Sequence, residues 1–154
     1  MDRRTFLKTA AVTTAGISLS GVVYGGFAAE LIDNPSPKKS YTDALKEITQ
    51  DKSVKDSDKV KLVAPEIAEN GAVVPITVEV ELPVEQVKAI HVLTEKNHNA
   101  RTMSIYFTPA NGKAYLSTRV RLAETMNVVA VAELADGSFI KAQKLVKVTV
   151  GGCG

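Results

Sequence analysis

Ala72-Val73-Val74-Pro75-Ile76-Thr77-Val78-Glu79-Val80-Glu81-Leu82 alternates apolar and polar side chains from its third residue on. Val74, Ile76, Val78 and Val80 fall on one side of an extended chain, with Pro75, Thr77, Glu79 and Glu81 on the other. That predicts a strand with one buried and one wet face. Pro75 has no N–H for a ladder and so belongs at a sheet edge, a strand start or a bulge. Upstream, Val60 to Val63 reads as a short strand stopped by Pro65, and Glu69-Asn70-Gly71 as a turn. Downstream, Val87 to Thr94 is a strand with Val87, Ile90 and Val92 inward, followed by the polar loop Glu95-Lys96-Asn97-His98-Asn99. Thr102 to Thr108 alternates again, with Met103, Ile105 and Phe107 on one side. Pro109-Ala110-Asn111-Gly112 then predicts a tight hairpin, returning along Ala114, Leu116, Thr118, Val120 and Leu122. Asn127 to Leu134 and Ser138 to Val150 are joined by a second hairpin, Ala135-Asp136-Gly137. About seven short strands with turn chemistry between them predict an all-β, immunoglobulin-like antiparallel β-sandwich.

Before the strands, Ser40 can cap a short helix with Asp43 at its third position, Ala44, Leu45 and Ile48 forming the apolar face. Asp51-Lys52-Ser53 and Asp56-Ser57-Asp58-Lys59 read as loop, with at most a helical turn between. Residues 29–40, with Asn34-Pro35-Ser36-Pro37, form a linker, since two prolines break both helix and ladder. The sandwich and its N-terminal helix then occupy residues 41–150.

The first eight residues hold Arg3, Arg4 and Lys8 against Asp2 and account for the whole formal charge of +2. The remainder is neutral and offers no basic surface for nucleic acid or anionic lipid. An uncharged stretch from Thr9 to Ala29 follows. Paired arginines ahead of Thr5-Phe6-Leu7-Lys8 resemble the twin-arginine export signal, read by a receptor on proteins that cross the membrane folded. Asp2 stands where that pattern prefers Ser or Thr. Residues 1–28 are read as this leader, cut after Ala28 or Ala29, and the mature protein as periplasmic. An uncleaved membrane anchor is the competing reading of the same stretch. Its seven Ser, Thr and Gly residues between Thr9 and Gly21 make a poor span.

Gly151-Gly152-Cys153-Gly154 holds the only cysteine in the chain. A packing cysteine sits within an apolar periodic segment, whereas this one is flanked by residues without side chains. Residues 151–154 are therefore read as a flexible arm presenting the Cys153 thiol, with Gly151, Gly152 and Gly154 able to pass a slot too narrow for a Cβ. One cysteine excludes a disulfide within the chain, and with two histidines it makes a poor metal set, so no cofactor is expected. No paired carboxylates, Ser/His/Asp order or phosphate loop is assigned as catalytic.

Leu62-Val63-Ala64-Pro65-Glu66-Ile67-Ala68-Glu69-Asn70-Gly71-Ala72-Val73-Val74-Pro75, Ile90-His91-Val92, Glu95-Lys96-Asn97, Val128 to Glu133, Asp136-Gly137-Ser138 and Val148-Thr149-Val150-Gly151-Gly152-Cys153-Gly154 resemble SoxY, the substrate carrier of bacterial thiosulfate oxidation. Members usually end one Gly later. The resemblance implies a carrier and not an enzyme, with intermediates held covalently on Cys153. In the family a c-type cytochrome complex loads thiosulfate, a dimanganese hydrolase releases sulfate, and in some organisms a molybdenum and haem enzyme oxidises the remaining sulfane sulfur. It also implies a heterodimer with SoxZ, a sandwich without its own leader.

The residues read without the family give quieter alternatives. Cys153 could sit on a disordered tail, or serve only in intermolecular disulfides of an adhesion or scaffold sandwich. His91 reads as a partly buried or edge residue of a strand, His98 as a solvated loop residue, and Met103 and Met126 as packing residues. Arg119 and Arg121 read as a solvated face, with an anion or a partner carboxylate as the functional alternative. The thiolate is the reactive form of cysteine, and Gly-Gly-Cys-Gly contains no group to generate it, so activation falls to a partner's site.

Overall fold

The computed structural model describes residues 38–153. The leader, most of the linker and Gly154 lie outside the described residues. Helix α1 (Tyr41–Thr49) comes first, followed by nine strands: β1 (Val54–Asp56), β2 (Val60–Val63), β3 (Ile67–Asn70), β4 (Val74–Val80), β5 (Val87–Thr94), β6 (Arg101–Tyr106), β7 (Tyr115–Val120), β8 (Met126–Leu134) and β9 (Phe139–Val150). They form two facing sheets, one ordered β1-β9-β8-β5-β6 with β3 also on β9, the other β2-β4-β7. The immunoglobulin-like sandwich is present. Among the described residues no helix is long and apolar enough to cross a membrane.

The seven expected strands all form, and two short ones join them. β1 and β3 lie one after the other along the same edge of β9, both parallel to it, with Val54 opposite Phe139 and Asn70 opposite Val150. The sandwich is thus not wholly antiparallel, and the polar segment read as loop around Val54 is partly strand. These strands are too short to show an alternation of their own. What fixes them is β9, twelve residues long, whose edge would otherwise be unpaired.

The Asn111-Gly112 hairpin does not form. β6 pairs with β5, while β7 pairs with β4 in the other sheet, so the connection crosses the sandwich. Pro109–Asn111 makes a single 3₁₀ turn, closed by the Asn111 side chain accepting from the Thr108 N–H at 2.8 Å, and Gly112 leaves it at φ 70°. The local turn chemistry is satisfied, while Met103 and Ile105 of β6 and Leu116 and Val120 of β7 pack into the same inter-sheet core from opposite layers. The second hairpin forms as expected, with Leu134 N–H bonded to the Ser138 carbonyl and Gly137 at φ 83°.

Pro75 shows how the edge rule is met inside a sheet. β4 is flanked on both sides, but β2 reaches only as far as Thr77. Val80 donates to the Ala114 carbonyl on the β7 side and Glu81 to the Lys59 carbonyl on the β2 side. By alternation the nitrogen of Pro75 faces the β2 side, beyond the last β2 pair, where no donor is required.

Two apolar clusters hold the layers. Between the sheets lie Val74, Ile76, Val78, Ile90, Val92, Val128, Ala130, Val146 and their neighbours. On the outer face of the larger sheet, α1 lays Ala44 and Ile48 over Leu93, Val129, Val131 and Phe139. β5 and the centre of β8 are therefore buried on both faces. Ser40 caps α1 by accepting from the Asp43 N–H at 3.2 Å, and Glu47 on the helix pairs with Lys39 and with Arg101 on β6. Ile90, completely buried in the inter-sheet core, should lose about 2–5 kcal/mol of unfolding free energy on truncation to Ala. Ser40→Ala should cost about 1 kcal/mol. Denaturant titration of both variants distinguishes a core that cannot relax from a frayed helix end.

Candidate functional site

The tail begins where β9 runs beside β3. After β3, Asn70 turns the chain, its Oδ1 accepting from the Ala72 N–H at 2.9 Å. Gly71 within that turn donates its N–H to the Val150 carbonyl at 2.7 Å and accepts from the Leu122 N–H at 2.7 Å, and the Leu122 carbonyl accepts from the Gly152 N–H at 2.9 Å. Three separate segments thus exchange backbone hydrogen bonds at one point: the end of β9, the turn after β3 and the chain just past β7.

Backbones approach this closely only without side chains between them. A Cβ on Gly71 would lie 2.3 Å from the Leu122 carbonyl oxygen and 2.8 Å from Val148 Cγ1, one on Gly151 would lie 2.1 Å from the Ala123 carbonyl oxygen, and one on Gly152 would lie 2.7 Å from Ala72 Cα. All are well inside contact distance. None of the three has the positive φ of Gly112 and Gly137; their contribution here is room. A slot too narrow for a Cβ exists in the chain's own body, and Gly151 and Gly152 lie in it. Cys153 lies beyond it, exposed and with its thiol free.

The far wall of the slot is held by a residue of the polar loop after β5. Asn97 is 8% exposed. Its Nδ2 donates to the Arg121 carbonyl at 2.7 Å and its Oδ1 accepts from the Ala123 N–H at 3.0 Å. One amide side chain therefore brackets Leu122, the residue that receives the tail. Thr125 adds a tie by accepting from the Val148 N–H at 3.0 Å. Neither Asn97 nor Gly71 is legible as part of the site in one dimension, since each reads as ordinary loop chemistry. The only hint is that glycines occur both at 71 and at 151–152.

Arg119 and Arg121 are exposed, Met126 is buried, and Met103 is partly buried against the inter-sheet core. His98 is exposed on its loop, its backbone carbonyl accepting from the Lys39 N–H at 3.1 Å. Among the described residues no group of three or more His, Cys, Asp or Glu is placed to hold a metal ion. A groove of about 410 Å³ lined by Lys52, Lys55 and Phe139 lies at the opposite end of β9 from the thiol.

A family model for the sulfur oxidation protein SoxY matches residues 45–153, and one for the twin-arginine translocation signal matches residues 1–20. The sulfur carrier protein SoxY from Chlorobium limicola f thiosulfatophilum is 34% identical in sequence, with a TM-score of 0.62 over 71% of this chain and 96% of that one. A superoxide reductase (neelaredoxin) from Ignicoccus hospitalis superposes with a TM-score of 0.52 over 58% of this chain and 80% of its own, at 16% identity. That second likeness is one of fold. Comparison with curated proteins gave no match.

His91 turns out to be a structural residue of the outer sheet face and is 2% exposed. Ser104 accepts from Arg101 Nε at 3.0 Å, which leaves its hydroxyl to donate to His91 Nδ1 at 2.7 Å. The ring proton then sits on Nε2, 3.4 Å from Glu133, whose other oxygen holds Lys88 at 2.7 Å. Burial pushes the imidazole below its ordinary 6.5; Glu133 opposes this, while Arg101 and Lys88 reinforce it. Burial alone would raise Glu133, but hydrogen bonds from Lys88 and His91 outweigh it and hold that carboxyl below its ordinary 4.5. Because the unfolded chain binds a proton that folded His91 resists, stability should be full above about pH 6.5 and decline on acidification, by at most about 1.4 kcal/mol per pH unit. The lowered carboxyl of Glu133 adds its own loss only below its ordinary value. Urea unfolding of the wild type should therefore weaken between about pH 7 and pH 5, and His91→Gln should flatten that interval.

Proposed function

The chain belongs to the SoxY family of sulfur oxidation proteins, sulfur carriers rather than enzymes, and from that premise we propose that Cys153 is the residue to which the cargo is covalently attached. The twin-arginine leader makes it an exported, periplasmic carrier. The reading takes residues 1–28 as the leader, 29–40 as linker, 41–150 as the carrier body and 151–154 as the presenting arm.

The observation that carries the attachment site is the exposure of Cys153 immediately beyond a slot that fixes the residues before it. A packing role for the thiol is incompatible with that placement. Loading joins the thiol to thiosulfate: Cys–SH and S₂O₃²⁻ give Cys–S–S–SO₃⁻, one proton and two electrons, with the new S–S bond formed to the outer sulfur. The electrons go to the c-type cytochrome complex that the family uses. Water then cleaves the S–SO₃ bond, giving Cys–S–SH, sulfate and one proton, in the reaction assigned to the dimanganese hydrolase. A molybdenum and haem sulfane dehydrogenase is the further partner where present. Each step needs an acid, base or metal brought by the partner, and an exposed thiol on a narrow stalk suits entry into such sites.

The family implies partners of the Sox system such as SoxZ, and the proposed working unit is the heterodimer with it. A body that leaves the cell interior folded, through the twin-arginine route, can bring an already assembled leaderless partner with it.

Cys153→Ser should abolish thiosulfate turnover in the reconstituted system while leaving the unfolding midpoint and SoxZ binding unchanged. Intact-mass spectrometry of the wild type should show thiosulfonate and persulfide adducts on the peptide that contains Cys153. Continued turnover by the serine variant, or a thiol that yields nothing but chain-to-chain disulfides, rejects the carrier role in favour of an adhesion or scaffold protein.

A further inference from the structure

The hydrogen bonds around Leu122 do more than end a strand. Gly71 lies eighty positions before the tail, is buried, and is tied to the end of β9 through its N–H and to Leu122 through its carbonyl. Asn97 grips the carbonyl before Leu122 and the N–H after it. The Leu122 carbonyl is thereby aimed at the Gly152 N–H by two residues distant from the tail in sequence. A single backbone hydrogen bond, at 2.9 Å, then determines whether Gly152 belongs to the body or to the arm.

We propose that Gly71 and Asn97 are positioning residues that give the arm two states. In the seated state Gly152 is bonded to Leu122, and the chain pivots between Gly152 and Cys153. In the released state that bond is broken, the pivot retreats to Val150, and the thiol gains the length of Gly151 and Gly152, about 7 Å. The seated state fixes where the thiol is offered, and the released state provides the reach needed to enter a deep partner site. The slot admits only glycine, so the same residues that make release possible make seating possible. The seated state rests on the hydrogen bonds around Leu122; the released state and its use rest on the carrier reading above.

The test is amide exchange followed by NMR on the folded, ¹⁵N-labelled protein, with a nitroxide on Cys153 in a parallel sample. The Gly152 amide should exchange at least about tenfold more slowly than an unstructured peptide amide, while that of Cys153 exchanges at the peptide rate. Asn97→Asp keeps the acceptor for Ala123 but loses the donor to Arg121, and Gly71→Ala closes the slot. Each should bring Gly152 close to the peptide rate and sharpen the nitroxide spectrum, with the core amides of Val92 and Ala130 still protected. Should Gly71→Ala fail to fold, Asn97→Asp and the wild-type Gly152 rate decide between them. Peptide-rate exchange of Gly152 in the wild type overturns the proposal, as does unchanged protection of Gly152 in Asn97→Asp. A protected Gly152 on a chain whose Cys153 never takes an adduct leaves the clasp standing and removes the carrier; an unprotected Gly152 on a chain that loads normally does the reverse.

Discussion

β9 is bonded along both edges, to β8 over eight register pairs and to β1 and then β3 on the other side. β8 pairs Phe139 to Val146, and beyond it β3 takes over Lys147 to Val150 while Thr125 holds the Val148 N–H, so the end does not peel without breaking the β3 ladder. That constraint matters because the cysteine-bearing end of the chain is a direct continuation of β9. The parallel register of β3 against the last four residues of β9 carries order as far as Val150, where an ordinary terminal strand frays. From there one more bond, through Leu122, carries it to Gly152. Position is thus passed along the backbone to the residue before the thiol.

The same sheet explains why a modest domain is rigid enough to serve as an anchor. Aromatic residues are few, and small β-branched and alanine side chains fill both faces of β5 and β8. A sheet packed on one face by a second sheet and on the other by α1 has little freedom to twist. Polar groups on the outer face are equally constrained, running from Lys88 through Glu133, His91 and Ser104 to Arg101 and Glu47. Each buried member has a partner, which is the condition for such a chain of polar groups to stabilise a fold instead of weakening it. His91 belongs to this network and stands apart from the sulfur chemistry.

A carrier has to reconcile two demands on one short segment. If Cys153 holds the cargo as proposed, its thiol has both to be offered in a defined place and to extend into a partner's site. Glycine meets both demands for opposite reasons. Without a Cβ it fits between backbones that touch, as at Gly151 against Ala123 and Gly152 against Ala72. In the proposed released state, the same lack of a side chain would leave the segment narrow and conformationally free.

Period-two alternation in residues 72–82, capping at Ser40 and the Asp136-Gly137 turn were enough to give the strands, the helix and one hairpin, because each is a local preference recorded in neighbouring residues. The terminal Gly-Gly-Cys-Gly likewise marked its own thiol as unusual. Asn111-Gly112 misled for a physical reason: turn propensity acts over four residues, whereas the assignment of β6 and β7 to opposite sheets depends on which distant strands they pair with. β1 and β3 exist only because β9 offers them an edge. The seat of the arm was decided entirely in three dimensions. Gly71, Asn97, Leu122 and Gly152 are scattered over more than eighty positions, and what joins them is backbone hydrogen bonding and the absence of a Cβ, neither of which leaves a pattern in sequence until the fold has brought the segments into contact.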